Sequence, residues 1–379
     1  INSLSKEQVI VEIFFFFLYN EAENKKGMVM NMNNKNWVSV WGNAVSIAEH
    51  HPEAYAKYIT LRYPVYIPFD GDTLRFTFDN YCGSEAVTVT RATVSAATSP
   101  VYEKMPLACP CKKETICDIT FSKNESVTME AHQTAVSDPV SFPVKKGMTL
   151  TVSLYFADFT LMQSAVLVTG PLSKGFFSLG DQTHADALPM DTTKTTNWFY
   201  FLSNIELMTA EENHTVICYG DSITAGAWPD YLTLLARQNP DNHTAFIRRA
   251  TSGSRVLRQY ECITYDSYGL KGTNRFPHEI PTTGADTVII QQGINDIIHP
   301  IGIETNPFRP MSDLPTAKEL IDGYRYYIEE AKKLHLKVYM GTLLPIFGWR
   351  TYATFRDDLR NELNAWIRSC LLYTSRAHE

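Results

Sequence analysis

The sequence predicts an α/β fold in two parts, a β-sandwich of jelly-roll type followed by a doubly wound parallel sheet, and three observations carry that prediction. From Trp37 to about Leu202, apolar residues alternate with polar ones at period two, the mark of half-buried antiparallel strands. Beyond Asn213, short apolar runs alternate with segments of 3.6-residue period, as when parallel strands are connected through helices. With 379 residues, 44% of them apolar, the chain has material for two cores. The expected divisions are a leader over 1–29, the sandwich over 30–205, the parallel-sheet domain over 213–369 and a tail over 370–379 foreign to the fold.

In the first part Leu74, Phe76 and Phe78 alternate with Arg75, Thr77 and Asp79, and Val87 and Val89 with Thr88 and Thr90. Met148, Leu150, Val152, Leu154 and Phe156 alternate with small polar residues. Asp70-Gly71-Asp72, Cys82-Gly83-Ser84 and Lys146-Gly147 supply the turns between such strands. Trp37, Trp41 and Trp198 are expected in strands, either as packing residues or as a carbohydrate-binding surface. In the second part the runs Val216–Tyr219, Thr287–Gln291 and Lys337–Met340 read as buried parallel strands. Trp228 to Arg237 has helical spacing; so does a segment opened by Asp313 as N-cap, with Pro315 in its first turn and apolar residues from Leu320 to Leu334. A last amphipathic helix is expected from about Tyr352 to Arg368.

A net charge of −7 without a long run of Lys or Arg argues against nucleic acid or an anionic membrane as the main partner. The densest basic cluster, Arg248, Arg249, Arg255 and Arg258, lacks interleaved aromatics and reads as a solvated face. Seven cysteines, an odd number, suit a reducing compartment, and no cofactor is required. Cys109, Cys111 and Cys117 lack the second ligand pair of a structural zinc site. The apolar run Val9 to Tyr19 is too short for a membrane span and, interrupted by Glu12, poor as a signal peptide, which favours a cytoplasmic location. Residues 1–27 are expected to be translated upstream sequence, with the start at Met28 or Met30.

The strand Val216–Tyr219 runs into Gly220-Asp221-Ser222-Ile223-Thr224, so Ser222 falls at a strand-to-helix junction, where the first free helix N–H groups can stabilise negative charge. Thr224 stands where a G-x-S-x-G elbow would have glycine, which calls for another serine hydrolase design. Gly253, 31 positions on (253 minus 222), lies in the small-residue turn Thr251–Ser254. Asn295 lies in Gly293-Ile294-Asn295-Asp296, after the second strand. Ester hydrolysis through a serine needs fixed donors for the oxyanion of the tetrahedral intermediate. The Ser222 N–H, the Gly253 N–H and the Asn295 carboxamide can supply them.

These three ordered blocks resemble those of the SGNH (GDSL-type) hydrolases. The segments Asn36–Gly42, Leu61-Arg62, Leu74–Phe78 and Ser137–Val140 resemble the β-rich amino-terminal portion of the two-part members, so the likeness covers roughly residues 36 to 369. It implies a flavodoxin-like hydrolase domain and a serine esterase acting on a small-molecule or carbohydrate ester, with a small acyl group such as acetyl removed. A long-chain lipid is disfavoured because no lid-like apolar segment is apparent. The alternative from another class is a glycan-binding protein whose hydrolase domain is a remnant.

A serine esterase also needs a general base, usually His oriented by a carboxylate. The family takes both from an Asp-x-x-His block near the carboxy terminus, and no such block follows residue 340. Asp296-Ile297-Ile298-His299 has the letters, but Asp296 already belongs to the Asn295 block, so His299, a loop residue beside Pro300, reads as a solvated or wall residue; His278 and His243 have weaker claims. Residues 370–379 resemble translated adapter sequence, so the chain is expected to be an inactive fragment whose natural sequence continues and supplies the pair.

Overall fold

The computed structural model describes residues 35–48 and 55–370; the expected leader, and the expected tail after Cys370, lie outside the described residues. Beside three smaller antiparallel sheets of two or three strands among the described residues, two large ones dominate the amino-terminal part. One orders the strands Lys35–Gly42, Leu202–Ala210, Gly71–Asp79 and Thr134–Val136, with Val140–Val144 also pairing to Gly71–Asp79. The other orders Lys194–Thr196, Gly175–Leu179, Ile59–Tyr66, Thr149–Phe156, Arg91–Ala96 and Cys117–Ile119. Leu74, Phe76 and Phe78 from the first sheet share one core with Val65, Val94 and Val152 from the second, which makes the part β-rich and two-layered. The last strand ends at Ala210, five residues past the boundary expected at 205.

Thr149–Phe156 departs from the simple alternation, because all eight of its residues are buried. Its outer face is covered through Arg62, whose Nε donates to Ser153 Oγ at 2.9 Å and whose other nitrogens donate to the carbonyls of Cys109, Gln182 and Ala185. A guanidinium can be buried this deeply because its donors are shared among several fixed acceptors.

The carboxy-terminal part is a parallel sheet ordered Thr244–Ala250, His214–Gly220, Ala285–Gln291, Lys337–Met340. His214–Gly220 comes first in the chain yet lies inside the sheet, so successive connections leave it in opposite directions and create a crevice at the carboxyl ends of the strands. Val216, Ile217, Cys218 and Tyr219 are buried on both faces, as a central parallel strand requires. The helix Trp228–Arg237 has the bounds its periodicity predicted. The long helix Ala317–Lys333 does not start at Asp313. Thr316 is its N-cap, accepting from Glu319 N–H while Glu319 returns a bond to Thr316 N–H, and this reciprocal box outcompetes Asp313. The final helix is Thr354–Ser369, and among the described residues no helix is long and apolar enough to cross a membrane.

The basic cluster is not a solvated face. Arg248, Arg249 and Arg255 are buried, each taken up by polar partners, and only Arg258 is partly open. Arg248 Nη2 meets Asp230 Oδ1 at 2.6 Å. Arg249 joins the two parts of the chain, donating to the carbonyls of Asn43 and Ser203, to Asn204 Oδ1 and to Glu279 O. Ser39 N–H to Thr283 O, and Thr215 Oγ1 to Ser39 O, extend the same seam.

Candidate active site

Ser222 opens a four-residue helix, Ser222–Ala225, directly beyond the central strand, and its side chain is exposed. Asp221 caps that helix by accepting from Ile223 N–H at 3.0 Å. Burial pushes the Asp221 carboxyl up to about 7, the charge of Asp296 adds to the rise, and the Ile223 N–H and Arg275 oppose it. The turn after the next strand holds Gly253 at a φ of +82°, with the Tyr268 ring so close that an added Cβ would fall 2.3 Å from it. Only glycine meets both demands without strain.

Asn295 sits in the short helix Ile294–Ile298, 4% exposed, and its Nδ2 donates to Ser254 O at 3.0 Å. One N–H of the carboxamide therefore holds the Gly253 turn, and the carboxamide carries a second N–H besides. Asp296, next in the chain, accepts from Val256 N–H at 2.8 Å and from Leu257 N–H at 3.1 Å. Burial pushes its carboxyl up to about 6 against the pull of those two bonds and of Arg255 and Arg258. Ser254 Oγ is fixed from two more sides, by Gln292 Nε2 at 2.8 Å and Arg275 Nη1 at 2.9 Å. Packing and hydrogen bonds thus determine the turn's conformation.

The structure brings Ser222, Gly253 and Asn295 together on the wall of one cavity of about 440 Å³. His299 lines it too. The imidazole is buried, its Nδ1 has no hydrogen-bond partner among the described residues, and burial followed by the charges of Arg309, Arg255 and Arg350 pushes its pKa down to about 3. His278 is elsewhere, paired with Asp79 at 3.0 Å and stacked on Tyr81; His243 lies against Asn213. The tryptophans of the β-rich part are also away from the cavity: Arg75 covers the Trp37 ring, Trp41 packs near Phe199 and Trp198 near Tyr200. Cys109 and Cys111 are buried, and among the described residues no group of three or more acidic, His or Cys side chains is placed to hold a metal.

Sequence reasoning missed several wall residues. Tyr268, Arg309 and Arg350 all line the cavity, and none stands in a periodic or motif-like context. It also missed an apolar rim. Leu344, Phe347 and Trp349 are 41%, 85% and 48% exposed, and Leu344-Pro345-Ile346 and Trp349 border the cavity, so an apolar segment does flank the site. The expectation against lipid esters, which rested on its absence, loses that support.

Residues 218–373 match the model of the GDSL-like lipase/acylhydrolase family. No curated protein matches the chain. Among solved structures, a GDSL-like lipase from Bacteroides thetaiotaomicron is 21% identical over 42% of this chain and 63% of its own, with a TM-score of 0.27. A proposed acylhydrolase from Bacteroides fragilis is 20% identical over 42% of this chain and 65% of its own, with a TM-score of 0.29. The match spans less than two thirds of either protein, and scores of this size carry no structural argument.

Proposed function

We propose, from the premise that residues 218–373 form a GDSL-like lipase/acylhydrolase domain of the SGNH type, that the protein is a serine carboxylic-ester hydrolase. Ser222 attacks the acyl carbon. Its own N–H, the Gly253 N–H and the Asn295 carboxamide hold the oxyanion; the ester C–O bond breaks as the alcohol leaves with the proton the base took from Ser222, and water then attacks the acyl-serine, releasing the acid and returning a proton to Ser222. The reading is carried by one observation: three residues from the ends of three adjacent parallel strands converge on a single cavity, with an exposed serine among them. The family resemblance, and not the cavity, favours a small acyl group such as acetyl on a carbohydrate or a similar ester.

The serine needs a base. Asp296 and His299 do not make one, because both Asp296 oxygens hold backbone N–H groups and an imidazole with so low a pKa accepts a proton poorly near neutrality. That supports reading His299 as part of the wall, with the family's separate His and carboxylate pair in the base's role. In the full-length protein, Ser222→Ala should lower p-nitrophenyl acetate turnover by several powers of ten with the fold intact. A fluorophosphonate should label Ser222 and no other residue. More than about a tenth of wild-type turnover in the variant would remove Ser222 from the mechanism.

A further inference from the structure

Arg309 is anomalous among the buried arginines. Its side chain is 6% exposed, it lines the cavity that holds Ser222, and its Nε is buried with no hydrogen-bond partner among the described residues. Arg62, Arg248, Arg249 and Arg275 are as buried, yet each is engaged by carbonyls or a carboxylate. A guanidinium without a counter-charge loses hydration that folding does not return. The faces of Arg309 are taken, with its Cζ 4.4 Å from the centre of the Tyr265 ring and 5.9 Å from that of Tyr260. Its edge, which carries the N–H groups, is what remains for a ligand.

The surrounding charge has one sign. Arg350 lines the same cavity at the exposed rim, with no ion pair among the described residues, and neither Asp nor Glu contributes to the wall. Two acids near the cavity are committed elsewhere: Asp296 to the Val256 and Leu257 N–H groups, Asp313 to Arg255 and Arg258. His299 on the same wall is held neutral first by its burial and then by the charges of Arg309, Arg255 and Arg350.

We propose that Arg309, assisted by Arg350, binds a carboxylate carried by the ester substrate, so that the cavity selects acidic esters, such as acylated acidic sugars or hydroxy acids, over neutral ones. A planar two-oxygen anion matches a planar fork whose faces are covered by tyrosine rings. The inference rests on Ser222 being the nucleophile for its hydrolytic part, whereas the binding part stands apart from it.

The test separates the two. With the full-length protein, kcat/KM is measured for 4-acetoxybenzoate against its methyl ester, placing the carboxylate in the alcohol part, and for mono-4-nitrophenyl glutarate against 4-nitrophenyl butyrate, placing it in the acyl part. At least one acidic member should exceed its neutral partner tenfold or more, and Arg309→Met and Arg309→Lys should each reduce that ratio at least tenfold, with Arg350→Gln reducing it less. Lys318→Gln, which removes an exposed charge on the helix Ala317–Lys333, should leave the ratio unchanged. In parallel, calorimetry on Ser222→Ala protein should show 4-acetamidobenzoate binding at least tenfold tighter than its methyl ester, a preference absent when Arg309 is also changed to Lys. Ser222 labelled by fluorophosphonate with no preference for either acidic ester overturns the carboxylate site and leaves the hydrolase reading standing. Arg309-dependent carboxylate binding with unlabelled Ser222 does the reverse. Tighter binding of 4-acetamidophenyl phosphate than of the benzoate overturns the choice of carboxylate.

Discussion

Asn295 carries two tasks on one side chain. One N–H secures the Ser254 carbonyl, which holds the Gly253 turn in place, and on the ester-hydrolase reading the other bonds the oxyanion as negative charge develops. Asn295→Ala should therefore lower kcat about 10²- to 10³-fold with little change in KM, because the oxyanion bond exists only as the reaction proceeds. Asn295→Asp should be at least as damaging, since a carboxylate would face the Ser254 carbonyl it now bonds. A change confined to KM would place the residue in substrate binding instead. That Ser222, Gly253 and Asn295 meet at one cavity was legible in the sequence because each stands in a short block set directly after an apolar strand. Arg309 was not: Phe308-Arg309-Pro310 has no period and no motif, and its burial arises only when the tyrosines of 260–268 fold against it.

Among the elements, the four-residue helix that begins at Ser222 depends on a buried carboxyl as its cap. The folded Asp221 titrates near 7, above its ordinary value of 3.8, so between those values the native state holds a proton that the unfolded chain has released. Stability contributed by that proton is present at low pH and is withdrawn as pH rises through the window. Asp221→Asn keeps an oxygen to accept from Ile223 N–H but cannot ionise. The melting temperature of the variant relative to wild type should thus rise from about pH 5 to about pH 8, and a difference flat across that range would show that Asp221 does not titrate there. Strand positions were legible for the same reason the site was, through unbroken apolar runs. The start of the helix Ala317–Lys333 was misplaced because Asp313 and Thr316 are both acceptable caps by residue type, and only the return bond from Glu319 distinguishes them. The arginine cluster was misread as solvated because charge predicts exposure only until enough acceptors gather to bury it.

Across the whole molecule, Arg249 is one of the polar ties between the sandwich-like part and the parallel sheet, beside the Asp230–Ser173 and Lys146 contacts. Arg249→Met should cost about 1–3 kcal/mol, because the Asn43 carbonyl and Asn204 Oδ1 lose the guanidinium that donates to them. Urea denaturation checks this through a lowered midpoint at constant slope; a loss below about 1 kcal/mol would mean that the seam rests on its other contacts. The seam also has a covalent counterpart. The strand Leu202–Ala210 of the antiparallel sheet is followed after only Glu211, Glu212 and Asn213 by His214–Gly220, the strand that delivers Ser222. So short a tether, held between two fully paired strands, has no slack in which one half could swing against the other. Every residue on the cavity wall belongs to the carboxy-terminal part, so a jaw-like approach of one half to the other would not seal it, and on the ester-hydrolase reading the mouth is bordered by the segment 341–353 and its exposed side chains.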